Sequence, residues 1–293
     1  MNGPTKVPVQ VDGQTLTLTN LDKVLYPAAH FTKAQVIDYY TRIAPVLLPH
    51  LAGRPLTMKR YPDGVDAHFF FEKNAPRHRP DWIDIVRLPA PGSTKNRDMI
   101  SYLLVDSLPA LVWVANLGSL ELHTPMWRVD TSRHGPDLMV VDLDPGEPAT
   151  ITECCQVALL VRDATDERWV AKTSGSKGLQ LYAPVRDGRS SQETSRQARS
   201  LAEQLERSHP RLVVSKMTKS LRPGKVLVDW SQNSSAKTTV TVYSLRARPK
   251  PTVSTPVTWA EVAACAQGQA RLVFTADDVL ERVGAHGDLF ETS

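Results

Sequence analysis

The sequence predicts a mixed α/β fold, in which two β-sheets meet and helices flank them. Short apolar, β-branched runs that are typical of strands alternate with longer segments of helical periodicity along the chain. The 293 residues, 41% of them hydrophobic, are enough to bury one large core. No internal repeat or low-complexity tract breaks the pattern. We therefore interpret residues 1–293 as one domain, in which residues 1–13 form a flexible arm or a short leading strand.

In the N-terminal half, the clearest element is a helix over residues 33–50. Thr32 is a suitable N-cap, and the apolar residues behind it recur with helical spacing. Residues 88–98 have the Pro, Gly, Ser and charged composition of an exposed loop. The other elements expected here are strands over 16–19, 58–60 and 120–123 and a helix over 107–118.

In the C-terminal half, an apolar run over 138–141 indicates a buried strand. Residues 169–183 contain two short strands around a tight glycine turn. The further elements expected are helices over 150–164, 191–208 and 276–284 and strands over 226–230 and 238–243. We expect the two sheets to meet at the strands that end in acidic residues.

Two of these acidic residues, Asp142 and Asp144, follow the run over 138–141. Residues two apart on a strand leave the same face, roughly 6.5 Å apart along it. Adjacent carboxylates repel each other and are costly near a core unless a cation binds them. Mg²⁺ and Mn²⁺ prefer such oxygen ligands, and Asp229 closes another apolar strand. Three carboxylates on adjacent strand ends suit two-metal phosphoryl transfer, although Asp-Pro-Gly is also ordinary turn chemistry.

The net charge of +4 permits an acidic partner without requiring one, but the positive charge is clustered. One cluster lies over residues 216–225 and another over 246–250, on either side of the Asp229 strand. Their position suggests a groove for polyphosphate or nucleic acid, with solvated surface as the simpler interpretation.

The cysteine pattern favours a reducing compartment, because the three cysteines show neither a disulfide framework nor zinc spacing. No signal peptide is visible, and no run approaches the roughly 18 apolar residues of a membrane span. We expect a cytoplasmic protein without a membrane partner.

The segment Thr173-Ser-Gly-Ser-Lys-Gly178 is a candidate phosphate loop between apolar runs. Gly175 and Gly178 allow unusual dihedrals, so that backbone N–H groups could face an anion beside Ser174 and Lys177. The spacing is not that of a Walker A loop, and a plain hairpin turn is the alternative. Arg246 is a second candidate for triphosphate, since its fork can hold two phosphate oxygens.

Together these segments resemble the polymerase domain of bacterial ATP-dependent DNA ligase D and its stand-alone relatives, in the archaeo-eukaryotic primase superfamily. The resemblance implies a primase-like core whose two sheets meet at the catalytic strands. It runs in order along nearly the whole chain, through Asn20-Leu-Asp-Lys-Val-Leu-Tyr-Pro27, Thr32-Lys33, Phe70-Phe71-Glu-Lys73, Glu121-Leu-His-Thr-Pro-Met-Trp127, Asp142-Leu-Asp-Pro-Gly146, Ser174-Gly-Ser-Lys-Gly178, Met217-Thr-Lys-Ser-Leu-Arg222 and Val228-Asp-Trp-Ser-Gln-Asn233.

The resemblance also implies residue roles. It implies that the catalytic residues Asp142, Asp144 and Asp229 bind two divalent ions, Mn²⁺ or Mg²⁺. The nucleotide-binding residues that it implies are Ser174, Lys177, Arg246, His123, Lys59 and Gln232. Without the resemblance, His123 would be interpreted as a core histidine.

For DNA, the resemblance implies a pocket for a 5′-phosphate at Asn20, Lys23 and Lys33. It implies template and primer contacts at Phe70, Phe71, Lys219 and Arg222. Aromatic side chains hold bases without sequence preference, although we expect one of the three consecutive phenylalanines to point into the core. The loop over 89–98 takes the place of a hairpin that supports end synapsis in the family.

One position departs from the family pattern. Relatives usually follow Ser-Gly-Ser-Lys-Gly with Leu-His, whereas this chain has Leu179-Gln180. Glutamine keeps hydrogen-bonding capacity but cannot become cationic. We expect a change in rate or metal preference rather than an inactive enzyme, because all three aspartates remain.

The function that the resemblance implies is a template-dependent DNA/RNA polymerase, a primase-polymerase that extends primers at short gaps or broken ends. It would prefer ribonucleotides and serve repair such as non-homologous end joining. The implied partners are gapped duplexes, 5′-phosphorylated ends, 3′ overhangs and NTPs or dNTPs, with Ku and a DNA ligase as protein partners. The alternatives are excision-repair gap filling, primer synthesis, a metal-dependent phosphoesterase and a non-catalytic end-binding scaffold. The sequence ends at Ser293 without a ligase or nuclease segment, which fits an excised domain or a stand-alone protein.

Overall fold

Two large β-sheets, three two-stranded sheets and six α-helices make up the part of the chain, residues 5–90, 98–129 and 135–291, that a computed structural model describes. The helices are α1 (Lys33–Leu51), α2 (Leu108–Asn116), α3 (Ile151–Asp163), α4 (Ser191–Ser208), α5 (Trp259–Ala266) and α6 (Ala276–His286). The strands are β1 (Lys6–Val11), β2 (Gln14–Thr19), β3 (Val24–Tyr26), β4 (Phe31–Thr32), β5 (Thr57–Arg60), β6 (Phe70–Glu72), β7 (Ile85–Pro89), β8 (Met99–Leu103), β9 (Ser119–Thr124), β10 (Leu138–Pro145), β11 (Val170–Thr173), β12 (Leu179–Pro184), β13 (Val213–Val214), β14 (Val226–Asp229), β15 (Thr239–Val240) and β16 (Pro256–Val257).

The larger sheet has six strands in the order β13-β14-β10-β12-β11-β16. Its central strand β10 separates two apolar layers. Met139, Val141 and Leu143 pack with α3 and α4 in one core cluster, whereas Val140 belongs to the other. Because side chains alternate along a strand, Asp142 and Asp144 share the face of Val140. The sequence pattern therefore turns both carboxylates away from the helical layer and towards the smaller sheet.

The smaller sheet has four strands in the order β15-β9-β5-β6. Helices α1 and α2 pack behind it in one core cluster. The two sheets meet where the Tyr182 hydroxyl on β12 contacts Thr239 on β15 at 2.9 Å. Beside this contact, Asn233 of the 3₁₀ turn Trp230–Asn233 bonds the backbone N and O of Val140, both at 2.8 Å. This arrangement confirms the predicted mixed α/β fold with two sheets that meet beside the acidic strands.

Most predicted elements are present with bounds close to those expected. The Thr32 N-cap is confirmed as a full capping box with Gln35, and α4 occupies the predicted residues 191–208. The strand expected over 238–243 is limited to β15. The chain turns after Val240, where Ser244 N donates to Thr241 O and Tyr243 adopts a φ of +62°.

Two elements differ from expectation. Of the two alternatives for residues 1–13, the flexible arm is wrong from Lys6 onwards and the short leading strand is confirmed, because Lys6–Val11 pairs antiparallel with β2. Helix α5 was not predicted, although its capping box of Thr258 and Glu261 is visible in the sequence. The loop expected over 88–98 connects the antiparallel pair β7 and β8, and its residues 91–97 lie outside the described part of the chain. No helix among the described residues is both long and apolar enough to cross a membrane.

Candidate active site

A cavity of about 350 Å³ lies between the two sheets. Its lining combines residues that the sequence assigned to metal and to nucleotide, together with Gln180 and Arg248, which were not assigned. The predicted residues that face it are His123, Asp142, Asp144, Ser174, Lys177, Gln232 and Arg246. The fold thus gathers distant segments of the sequence around one space.

The aspartates occupy one side of this cavity. The strand register places Asp142 directly opposite Asp229 on β14, and Asp144 opposite Leu227. Removal from water, and then repulsion by Asp144, raises the pKa of Asp142 to about 8. Removal from water and repulsion by Asp229 raise the pKa of Asp144 as well. Nearby positive charge offsets burial and repulsion only in part, so both pKa values remain raised. A bound cation would favour the ionised form of both carboxylates.

Asp229 is buried and already hydrogen-bonded. Its Oδ1 accepts from the backbone N of Ser231 at 2.9 Å and from the Ser231 hydroxyl at 2.6 Å. Its Oδ2 accepts from Gln232 at 2.9 Å, so Gln232, assigned to nucleotide, contacts a carboxylate here. Among the described residues, no group of three or more acidic, histidine or cysteine side chains is arranged so that it could hold a metal ion. The oxygen donors and unbalanced charge nevertheless fit divalent ions, with Asp142 and Asp144 facing the cavity.

Gln180 lies in a row of polar side chains that crosses the larger sheet. Cross-strand pairing aligns Asp229, Asp142, Gln180 and Lys172 in that order, which places them on one face. The Gln180 side chain donates to Asp142 and so favours its ionised form. Its Oε1 accepts from Lys172 at 2.5 Å and from the Tyr182 hydroxyl at 3.2 Å. Glutamine therefore bridges a candidate metal ligand and a buried lysine without carrying charge.

Sequence reasoning missed Lys172. It is 1% exposed, and its ammonium also donates to the Ser254 hydroxyl at 2.7 Å and to Val240 O at 3.0 Å. Burial lowers the pKa of Lys172 well below its usual value. The sequence did contain a signal for it. The predicted glycine turn joins two antiparallel strands and places Lys172 opposite Gln180.

The candidate phosphate loop is a turn closed by its own serine. Ser174 Oγ accepts from the backbone N of Ser176 at 3.2 Å and of Gly178 at 3.1 Å. These two N–H groups therefore do not face an anion, contrary to expectation, because the hydroxyl satisfies them first. Lys177 is exposed and forms an ion pair with Glu147 at 2.7 Å.

Arg246 packs directly over this turn. Its Nη1 donates to Ser174 O at 2.5 Å. Gly175 has a φ of +66°, and a Cβ at this position would lie 2.7 Å from Arg246 Cγ and 2.7 Å from the Val253 carbonyl carbon. Glycine is therefore required both by the backbone conformation and by the close approach of the arginine.

Glu121 joins three of the predicted nucleotide residues and was itself missed as a functional residue. Its Oε2 lies 2.9 Å from His123 Nε2, and its Oε1 lies 3.4 Å from Arg246 Nε and 3.6 Å from Lys59 Nζ. Burial opposes its ionisation, but the His123 hydrogen bond and the Arg246 and Lys59 charges outweigh burial and lower the pKa of Glu121 to about 2. The pKa of His123 is lowered, mainly by burial.

The predicted template aromatics lie on β6, at the edge of the smaller sheet. The expectation that one of the three phenylalanines points into the core is wrong, because β6 is an edge strand and none of the three side chains is fully buried. Phe69 is 43% exposed, Phe71 is 53% exposed and Phe70 is half-buried. Phe70 and Phe71 line a second cavity of about 960 Å³, together with Tyr102 and Trp127. Phe71 also contacts His123 edge to face, with ring centroids 5.9 Å apart.

The predicted 5′-phosphate residues meet at the start of α1. Lys33 is buried, and its ammonium donates to Thr19 O at 2.6 Å. Burial, and then repulsion by Lys23 and Arg60, lowers the pKa of Lys33 to about 8. Lys23 is paired with Asp63 at 2.6 Å, and Asn20, with a φ of +53°, forms the turn that leads to it. Arg60 is a further cation of this group that the sequence did not indicate.

The two predicted primer-contacting residues lie beside the end of β10. Arg222 donates to Met217 O at 2.5 Å, and its charge lowers the pKa of Asp144 against the larger opposing effects. Lys219 is exposed on the 3₁₀ turn Lys219–Leu221. A Cβ at Gly146 would lie only 2.1 Å from Arg222 O, so this glycine allows the segment to pack against the catalytic strand.

Comparisons with known proteins show what this chain is similar to. The family described as LigD, primase-polymerase domain, matches residues 32–290. The multifunctional non-homologous end joining protein LigD of Mycolicibacterium smegmatis is 46% identical over 280 residues, which is 94% of this chain and 36% of that protein. The bifunctional non-homologous end joining protein LigD of Bacillus subtilis is 30% identical over 276 residues, 93% of this chain and 43% of that protein.

A solved structure is also similar. It is the polymerase domain of Mycobacterium tuberculosis ligase D in complex with DNA, with a TM-score of 0.88 and 43% identity. The similarity covers 94% of this chain and 96% of that domain. The chain thus spans a whole polymerase domain but less than half the length of the curated relatives named above.

Proposed function

Because the chain belongs to the LigD primase-polymerase domain family, whose polymerase domains are nucleotidyltransferases, we propose that it extends DNA primers on a template from nucleoside triphosphates. One observation carries the proposal. The cavity of about 350 Å³ is lined both by the carboxylates Asp142 and Asp144 and by the cations Lys177 and Arg246. A metal-dependent phosphoesterase would need only the carboxylates, so the cations favour a triphosphate substrate.

The carboxylates are the proposed metal ligands. Asp142, Asp144 and Asp229 would hold two divalent ions, Mn²⁺ or Mg²⁺, which when bound supply activation of the primer 3′-hydroxyl and neutralisation of the departing pyrophosphate. Gln180 orients Asp142 through its hydrogen bond. Arg222 places positive charge near Asp144, at the side where the primer end would approach.

The residues opposite the carboxylates bind the triphosphate in this proposal. Arg246 supplies a guanidinium fork whose Nε makes no hydrogen bond to the described residues, and His123 and Ser174 face the same space. Lys177 is exposed and can exchange Glu147 for a phosphate, since a surface ion pair contributes little. Lys59 reaches this group through Glu121 rather than through the cavity lining.

DNA is the proposed macromolecular partner. The DNA-bound polymerase domain covers 94% of this chain, and the cavity beside β6 offers Phe70, Phe71, Tyr102 and Trp127 for stacking on template bases. The cation group of Lys23, Lys33 and Arg60 supports recognition of a 5′-phosphate across a gap. The relatives are named for non-homologous end joining, and on that basis the proposal extends to repair of broken ends beside Ku and a DNA ligase.

Primer extension on a short gapped duplex with a 5′-phosphate tests the function. Wild-type protein should extend the primer with Mn²⁺ or Mg²⁺, more on the 5′-phosphorylated gap than on a 5′-hydroxyl gap and, we propose, more with ribonucleotides than with deoxynucleotides. The control is the double substitution Asp142→Asn and Asp144→Asn, which keeps side-chain size. A wild-type protein that binds the gap but adds no nucleotide with either metal would contradict the proposal in favour of an end-binding scaffold.

A further inference from the structure

We propose that Glu121 is a positioning residue, which holds the cations of the triphosphate site in place before nucleotide binds. This inference rests on the proposed function and goes beyond it by adding an acidic residue to a site for a polyanion. Glu121 is 2% exposed and lies on β9 two residues before His123, so both side chains leave the same face of the strand.

The contacts of Glu121 define what it positions. Its Oε2 is paired with His123 at 2.9 Å. Its Oε1 accepts from the backbone N of Ala247 at 3.1 Å and lies 3.4 Å from the Nε of the preceding residue, Arg246. One carboxylate therefore fixes both the backbone segment that carries the arginine and the arginine side chain.

Lys59 is held from two sides. Glu121 lies 3.6 Å from its ammonium, and the rings of Phe69, Tyr61 and Phe71 surround the same atom at 4.3, 5.3 and 5.5 Å from their centroids. Aromatic faces attract a cation, so this cage restricts the lysine without neutralising it. The sheet therefore presents Lys59 in a fixed place beside His123.

The need for a central anion follows from charge repulsion. The charges of Arg246 and Lys59 each lower the pKa of His123, whereas Glu121 raises it. Without a carboxylate the like charges of Arg246 and Lys59 would repel each other before a triphosphate arrived. With Glu121 present, Arg246 and Lys59 are held close together before the nucleotide binds. Arg246 keeps a buried Nε that makes no hydrogen bond to the described residues. The gain is preorganisation, which reduces the ordering that binding requires.

Electrostatics alone and positioning predict opposite changes in triphosphate affinity for Glu121→Gln. The substitution removes a negative charge from the site, so electrostatics alone predicts tighter binding of triphosphate. Positioning predicts weaker binding, because the amide holds Arg246 and Lys59 less firmly than a carboxylate. Glu121→Asp keeps the charge but withdraws it by one methylene group, so positioning predicts weaker binding here too.

The experiment measures equilibrium binding of CTP and CMP with Mg²⁺ and without DNA, below the melting temperature of each variant. We expect Glu121→Gln to weaken CTP binding about tenfold, because the ion pairs that hold Arg246 and Lys59 are lost, with CMP binding almost unchanged. The matched control is Glu261→Gln, which removes the same charge from a pair with Arg282 outside the cavity and should leave CTP binding unchanged.

Each result decides the inference. Unchanged or tighter CTP binding by both Glu121 variants would overturn it, as would a wild-type protein that binds no CTP. If Glu121→Gln does not fold, Glu121→Asp decides, and failure of both to fold would make Glu121 a structural residue and overturn the inference. Primer extension by wild type is measured in parallel, so that loss of the proposed polymerase function is distinguished from loss of this role.

Discussion

The two sides of the cavity differ in how the protein balances charge. The carboxylate wall consists of Asp142 and Asp144, with Asp229 opposite Asp142 on the neighbouring strand. Removal from water, and then repulsion between these like charges, raises the pKa of Asp142 and Asp144. The cation wall consists of Arg246 and His123 in the cavity lining and of Lys59, which joins them through Glu121. It contains its own counter-ion, Glu121, whose pKa is lowered to about 2. One wall therefore depends on an external ion for charge balance, whereas the other is balanced within the fold.

This difference indicates which wall is ordered before ligand binds and which wall is stabilised by bound cations. A wall that is balanced internally can be rigid before its ligand arrives, because partners hold every side chain. A wall that is unbalanced gains stability only when cations bind to it. We therefore expect substitutions on the two walls to affect catalysis, stability and pH dependence in different ways.

The largest effect should come from the carboxylate wall. Asp142→Asn with Asp144→Asn should reduce primer extension by at least about 1,000-fold, because the proposed metal ligands are lost while side-chain volume is kept. Binding of gapped DNA measured in parallel should change little. Residual extension within tenfold of wild type would place the chemistry elsewhere.

A smaller but large effect should come from the turn beneath the cation wall. Gly175→Ala should weaken CTP binding roughly 10- to 100-fold, since the new Cβ would lie 2.7 Å from Arg246 Cγ and φ is +66°. Gly188→Ala is the control, because Gly188 has a φ of +73° but nothing within 4 Å of its Cβ position. Equal effects of the two substitutions would attribute the loss to backbone strain and not to displacement of Arg246.

In the presence of a chelator, substitutions on the two walls should change the melting temperature in opposite directions. The pKa of Asp142 is raised to about 8, so the folded state binds more protons than the unfolded state between about pH 4 and 8, and stability falls as pH rises through that range. Asp142→Asn should therefore raise the melting temperature at pH 8, by about 2–4 °C for each kcal/mol relieved.

Glu121→Gln should lower the melting temperature under the same conditions, since removing one partner of a buried ion pair costs about 3–5 kcal/mol. A shift of the same sign in both variants would contradict the contrast between an unbalanced and a balanced wall.

The cations of the predicted 5′-phosphate pocket, Lys23, Lys33 and Arg60, repel one another as the carboxylates do. Lys33 has a pKa of about 8 because burial and the charges of Lys23 and Arg60 oppose its protonation. It is mostly charged at pH 7 and mostly neutral at pH 9, so the preference for a 5′-phosphorylated over a 5′-hydroxyl gap should fall several-fold across that range. The ratio of extension rates on the two gaps cancels pH effects on chemistry. A constant ratio from pH 7 to pH 9 would remove Lys33 from the phosphate pocket.

The smallest effect is expected at Gln180. Gln180→His should keep the bridge between Lys172 and Asp142, so the extension rate at pH 8 should stay within about threefold of wild type. Histidine adds a group that titrates near neutrality, and the ratio of Mn²⁺ to Mg²⁺ activity should acquire a pH dependence that the glutamine protein lacks. Identical pH profiles would show that this position does not influence the ions.

The sequence predicted those parts of the fold and site whose signals are local. Helix α4 carries its capping box and its amphipathic face within one segment, and its predicted bounds agree with the structure. Asp142 and Asp144 were recognisable because alternation along one strand places both on the same face. The resemblance then supplied the roles of residues whose chemistry is ambiguous alone, such as His123.

The missed features depend on contacts between distant segments. Glu121 is only an acidic residue within an apolar strand until β5 brings Lys59 and the segment after β15 brings Arg246 to it. Lys172 becomes informative only beside Gln180 and Ser254. The exposure of Phe69 and Phe71 could not be inferred either, because periodicity does not show that β6 is an edge strand.

The row that crosses the larger sheet constrains how this chain can vary in length. Asp142 lies between Asp229 and Gln180 only because β10, β12 and β14 pair in one register. An insertion of a single residue between Leu138 and Asp142 would rotate both carboxylates into the packed helical layer and bring Leu143 to the cavity. Homologous proteins should therefore tolerate insertions and deletions in connecting loops but not within this strand, and engineering by grafting must transfer the three strands as one unit.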